Sequence, residues 1–158
     1  MLTVDVKNME NMFGKMKEAE LAIGNYYKAC SEKDTPENRS FWTALAQAEA
    51  KHAGNLVKIL LMILKNPNRY YYGLDFDPVN IEQLVKEAND LTAKVQSSQM
   101  LGKSLLLAAR NLEDRLLEKK YFETVKSEEK EFLDILNIMK AETAQHREII
   151  VKKLEAAV

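Results

Sequence analysis

Glu49 and His52 stand three residues apart in Leu45-Ala-Gln-Ala-Glu-Ala-Lys-His52, inside a stretch with the composition of a long helix. Together with Leu45, Leu56, Ile59 and Ile63 they give spacings of four, three, four, three and four, so both polar residues occupy inward positions of a heptad stripe. Burying even a neutral polar group without a partner costs about 2–7 kcal/mol. A cation held between helices is one partner that removes this cost.

The same signature recurs elsewhere. Glu20 breaks a stripe of Leu2, Val6, Met9, Phe13, Met16, Ile23, Tyr27 and Cys30; Glu113 interrupts Leu106, Ala109, Leu116 and Leu117; Glu142 and His146 interrupt Phe132, Ile135, Met139, Ile149 and Lys153. Four glutamates and two histidines on four inward faces suit two divalent cations about 3.5–4 Å apart, with carboxylates bridging and one histidine on each cation. Iron or manganese suits this oxygen-rich set better than zinc. The residues do not separate iron from manganese.

Placing these residues takes four long helices. The first is expected from about Asp5 to Ser31. Lys33-Asp-Thr-Pro-Glu37 ends it, with Thr35 able to cap the second helix and Pro36 at that helix's first position. The second helix runs to about Lys65 and carries Phe41, Leu45 and Leu56 inward. Two prolines, a glycine and two asparagines in residues 66–78 then break the pattern, which makes this the long connection. Within it Tyr70, Tyr71 and Tyr72 read as rings that tack the loop to the bundle, the alternative being a docking surface for another subunit.

Val79 to Gln96 reads as a more polar, extra helix that lies across or alongside the others rather than in their core. The third long helix is expected from near Ser97 to about Val125, and the fourth from a capped, acid-rich start at Ser127-Glu-Glu129 to about Glu155. No alternating strand segment bounded by turns stands out. The expected fold is all-α, a single domain over residues 1–158: a four-helix bundle with a long crossover containing an extra helix between the second and third helices.

Composition agrees. The chain of 158 residues is 46% apolar and 30% charged, enough to bury a core. Its 23 basic and 24 acidic residues are spread evenly, so there is no basic footprint for nucleic acid or an anionic membrane. A single cysteine, Cys30, excludes an intramolecular disulfide and a CxxC-type zinc or iron site, and fits a reducing cytoplasm. Neither a signal peptide nor a membrane-length apolar run is visible, so a soluble, cytoplasmic protein is expected.

The residues that carry a resemblance are Glu20 with Tyr27 seven later, Leu45-Ala-x-x-Glu49-x-x-His52, Glu113 with Tyr121 eight later, and Glu142 with His146. On them the chain resembles the ferritin-like superfamily, and within it the di-iron domain of rubrerythrin and its relatives, over nearly its whole length. The resemblance implies a ferritin-like bundle in which Glu20, Glu49, His52, Glu113, Glu142 and His146 ligate two iron ions. Glu20 and His52 would help hold one metal, Glu113 and His146 the other, with Glu49 and Glu142 bridging or chelating. It further implies reduction of peroxide or oxygen with electrons from an external donor, and a homodimer.

Three departures qualify it. The rubredoxin-like iron domain of rubrerythrins is missing, so the donor is expected to be a separate protein. The second glutamate that rubrerythrins carry three residues after the third-helix ligand, associated in the family with peroxidase activity, is Leu116 here. Finally, Glu142 and His146 are four apart, with Thr143 at the position three before the histidine. At roughly 100° per residue, four places the histidine about 40° to one side of the glutamate and three about 60° to the other. A one-residue π-bulge between Glu142 and His146 is expected to absorb the offset.

Tyr27 and Tyr121 lie about two helical turns from Glu20 and Glu113, where each can hydrogen-bond a ligand carboxylate or simply pack in the core. Met9, Met12, Met16, Met62, Met100 and Met139 read as core fillers, and Cys30 as a buried, inert thiol. Two other functions stay open: iron binding or sequestration without turnover, and a metal-free structural bundle, for which the shifted fourth-helix motif speaks.

Overall fold

A computed structural model of the chain describes residues 4–73, 77–118 and 121–157. Among the described residues it is all-α apart from one short strand pair, with five α-helices: α1 (Val4–Lys33), α2 (Arg39–Lys65), α3 (Pro78–Gln96), α4 (Lys103–Glu118) and α5 (Lys130–Ala156). None of the described helices is long and apolar enough to cross a membrane.

Side-chain pairings set the directions. Tyr27 stacks on Trp42 and Gly24 abuts Glu49, so α1 and α2 are antiparallel. Lys58–Glu131 (2.9 Å) and His52–Glu142 (2.7 Å) make α2 and α5 antiparallel, and the pairs Arg147–Asp114, within α4, and Lys140–Glu123, just past its end, do the same for α5 against α4. Lys15 pairs with Glu82 at 3.5 Å, while Asn25–Glu32 and Asn89–Gln96 line one groove, so α3 runs parallel to α1. The chain therefore goes up, down, up, down, up.

The expected α1 stripe from Val6 to Cys30 is buried; Leu2 lies outside the described residues. Met12, Ala19, Ala22, Tyr26 and Ala29 are buried as well, because α1 is covered by α3 in addition to α2. Of the two placements expected for the extra helix, across or alongside, α3 takes the second, beside α1; the expectation that it stays outside the core is corrected, because its Ile81, Leu84, Ala88 and Val95 join the common core. Cys30 is buried as expected, and burial pushes its thiol up to about 12.

α4 is shorter than expected at both ends. After α3, Ser98 takes φ 60°, with Ser98 N–H donating to Val95 O and Gln99 N–H to Lys94 O. That pair of bonds is a Schellman cap with serine where glycine is usual, and it stops α3 and separates it from α4. Gly102, at φ 61°, turns the chain into α4. At the other end α4 stops at Glu118, residues 119 and 120 lie outside the described set, and Tyr121–Glu123 form a 3-10 turn.

The strand pair β1 (Tyr70–Tyr72) and β2 (Val125–Ser127) was not legible as strands. It runs antiparallel, with Tyr71 opposite Lys126. Two strands alone are marginal in water. This pair is anchored by Tyr70 packing edge-on against Phe132 at 5.2 Å, so Tyr70 tacks the connection down, while Tyr71 stays 65% exposed. Ser127 precedes α5 without capping it: its hydroxyl accepts from Glu129 N–H, and Glu129 holds the N-cap position without a side-chain capping bond.

Candidate metal centre

Five polar side chains meet at the centre of the helices: Glu20 from α1, Glu49 and His52 from α2, Glu113 from α4 and His146 from α5. All are buried. They fall into two groups whose donor atoms can surround an ion, Glu20–Glu49–His52 and Glu49–Glu113–His146. Glu49 belongs to both. His52 Nδ1 lies 3.7 Å from Glu20 Oε2 and 3.8 Å from Glu49 Oε2. His146 Nδ1 lies 3.0 Å from Glu49 Oε1 and 3.7 Å from Glu113 Oε1. The imidazoles stack, with centroids 5.5 Å apart and planes at 20°.

Local packing explains how Glu49 reaches both groups. Gly24, one turn beyond Glu20, faces Glu49, and a Cβ added there would sit 3.3 Å from Glu49 Cβ. The missing side chain lets α1 and α2 approach closely where the shared carboxylate stands. A glycine inside a helix costs about 1 kcal/mol relative to alanine, so its presence needs a packing reason. Gly24 is thus a sequence signal for the close approach, though it stands beside the apolar stripe and not on it.

The donor atoms fit a cation. Among the described residues, Glu20 Oε1, Glu20 Oε2, Glu49 Oε2, His52 Nδ1 and Glu113 Oε2 are buried without a hydrogen-bond partner. Every one belongs to the two groups. An unmet buried polar atom costs about 1–3 kcal/mol, more if charged, and so many at one point are natural for ligands and costly otherwise.

The surroundings orient these groups. Tyr27 OH donates to Glu113 Oε1 at 2.6 Å, and Tyr27 in turn stacks on Trp42, with centroids 5.9 Å apart. Trp42 Nε1–H donates to Asp34 Oδ2 at 2.8 Å. Tyr121 stands apart from this scheme: it sits in the 3-10 turn after α4 has ended, buried, with Arg115 and Asp77 in its electrostatic surroundings. Leu116 is buried.

Electrostatics reflect the crowding of acids. Burial, with the neighbouring Glu49 carboxylate, holds Glu20 well above the usual carboxylate range. Burial by itself would depress the histidines, but the carboxylates outweigh it. Glu20 and Glu49 raise His52 to about 11, and Glu113 and Glu49 raise His146 to about 9. Burial, reinforced by Glu113, pushes the Tyr27 phenol far above its ordinary value. Without a cation, protons stand in for positive charge.

On α5 the structure differs from expectation. The helix is unbroken α-helix from Lys130 to Ala156, with no π-bulge between Glu142 and His146. Thr143, buried, donates its hydroxyl to Met139 O at 2.9 Å in ordinary helical geometry. His146 nevertheless points inward. Glu142 lies outside both groups, its side chain 29% exposed and its Oε2 2.7 Å from His52 Nε2. Comparison with protein-family models, with curated proteins and with solved structures gives no match.

Proposed function

We propose that this chain is a dinuclear metal protein of ferritin-like type that holds two iron or manganese ions and, with electrons from an external donor, reduces peroxide or oxygen. The observation that carries the metal reading is the convergence of five unpartnered buried donor atoms on two groups sharing Glu49. Glu20, Glu49 and His52 would hold one ion, and Glu49, Glu113 and His146 the other. Three carboxylates and two imidazoles form a hard, oxygen-rich set that favours iron or manganese. The bound pair would supply one-electron redox chemistry and a Lewis-acid site for the oxidant's oxygens.

The protein's own groups have definite tasks. Glu49 faces both histidines and would be the carboxylate common to the two ions. Tyr27 holds Glu113 by one oxygen and leaves Glu113 Oε2 for the ion. The stacked imidazoles and the three carboxylates are all buried, which keeps bulk water from them.

The redox step rests on the resemblance to rubrerythrins. It is tested by loading the protein with Fe2+ under argon, adding hydrogen peroxide and a chemical reductant, and following both. Turnover predicts one peroxide reduced to two waters for every two electrons consumed.

Sequestration without turnover is the second reading. It is favoured by the buried Leu116 at the position where rubrerythrins carry their additional glutamate. Iron uptake with no peroxide-dependent consumption of reductant selects it.

A further inference from the structure

We propose that Glu142 is the positioning residue for His52 rather than a ligand: its carboxylate accepts a hydrogen bond from His52 Nε2–H and turns His52 Nδ1 toward Glu20 and Glu49. The proposal rests on the dinuclear reading above and goes beyond it by giving the fourth glutamate a different role.

His52 offers two nitrogens in two settings. Nδ1 is buried, has no hydrogen-bond partner, and lies near one oxygen each of Glu20 and Glu49. Nε2 is 2.7 Å from Glu142 Oε2. An ionised carboxylate can only accept, so Nε2 carries the proton, and in the neutral ring the lone pair then falls on Nδ1. Every polar atom of the ring is satisfied once a cation sits between Nδ1 and the two carboxylates. The reverse assignment, with Nε2 as ligand, leaves Nδ1 buried and unpaired. It also leaves the ion with Glu142 as the one carboxylate within 4 Å of Nε2 among the described residues.

The backbone supports the same division. Because α5 is a regular helix, Glu142 and Thr143 lie on opposite flanks of the line through Met139 and His146. Thr143 takes the buried flank and bonds its own helix. Glu142 takes the flank facing α2, at the partly exposed margin of the centre. From there it reaches the outer nitrogen of His52. A carboxylate on the non-ligating nitrogen is the usual way to fix a metal-binding histidine's tautomer and ring orientation, and losing such a partner costs about 10–100-fold in affinity.

The test uses the full chain with Mn2+ as the only added cation, comparing wild type, Glu142→Ala and Glu142→Gln, with far-UV circular dichroism as a check on folding. The number of Mn2+ bound per chain at saturation should be the same in all three. Affinity should fall about 10–100-fold in Glu142→Ala and recover largely in Glu142→Gln, whose amide oxygen still accepts from Nε2–H. In Zn2+-loaded, nitrogen-15-labelled wild type, long-range proton–nitrogen spectra should show His52 protonated at Nε2. Loss of one cation per chain in Glu142→Ala, a glutamine variant no better than alanine, or a proton on Nδ1 would overturn the role. A wild type that binds no Mn2+ is a distinct result, and it removes the dinuclear reading and the positioning role together.

Discussion

Gly24 and Glu49 face each other across the α1–α2 crossing so closely that a Cβ on Gly24 would stand 3.3 Å from Glu49 Cβ. The glycine thus sets the position of the one carboxylate common to both groups. In Gly24→Ala two effects oppose: alanine gains about 1 kcal/mol of helix propensity, and the added methyl presses on Glu49. Metal-free stability should change by less than about 1 kcal/mol, while Mn2+ affinity falls several-fold. Paired thermal unfolding and metal titration check this; unchanged affinity would mean that the close approach does not govern the centre.

The protons that stand in for cations predict a pH dependence. His146 and His52, ordinarily near 6.5, are raised to about 9 and about 11. A raised imidazole contributes stability that is fully present below pH 6.5 and is lost as pH rises through the folded value. Glu20, also raised, acts in the same sense. The metal-free protein should therefore lose Tm between about pH 6.5 and 9, and the rise in Tm on adding Mn2+ should grow over that window as cations replace protons. Melts with chelator and with Mn2+ across the range test it; a metal-free Tm that climbs with pH would contradict it.

Tyr27→Phe removes the hydroxyl that Glu113 Oε1 accepts from, leaving both oxygens of a buried carboxylate without a hydrogen-bond partner. Metal-free stability should drop by about 1–3 kcal/mol, and metal affinity by about 10–100-fold through loss of ligand orientation. Urea unfolding and titration measure the two separately.

Ser98 adopts a left-handed conformation at the end of α3, which costs an L-residue about 1–2 kcal/mol. Glycine there avoids that cost but adds unfolded-state entropy, so Ser98→Gly should stabilise the fold by about 0.5–1 kcal/mol. Metal binding should not change.

Much of this was legible in the sequence, and particular residues show where legibility ended. Glu20, Glu49, His52, Glu113 and His146 each break an apolar stripe, and a buried charge is conspicuous wherever periodicity is clear. On α5 the residues Phe132, Met139 and His146 fix one line every seventh residue, but either neighbour of each intermediate position can face inward. The chain buries Leu136, Thr143 and Ile150, whereas Ile135, Glu142 and Ile149 had been expected. The placement of α2 and α4 decides between those flanks, and α5 itself carries one sign of the choice: the expected line ends on Lys153, whereas its neighbour Leu154 is apolar and buried. The strand pair was hidden for a similar reason: Tyr70–Tyr72 and Val125–Ser127 become strands by pairing with each other, more than fifty residues apart in sequence.

The most direct measurement is elemental analysis of purified wild type beside Glu49→Ala, both from cells supplied with iron and manganese. Because Glu49 lies in both donor groups, the account predicts about two metals per wild-type chain and loss of both in the variant. A metal-free wild type, or a Glu49→Ala protein that keeps the wild-type metal content, would contradict it.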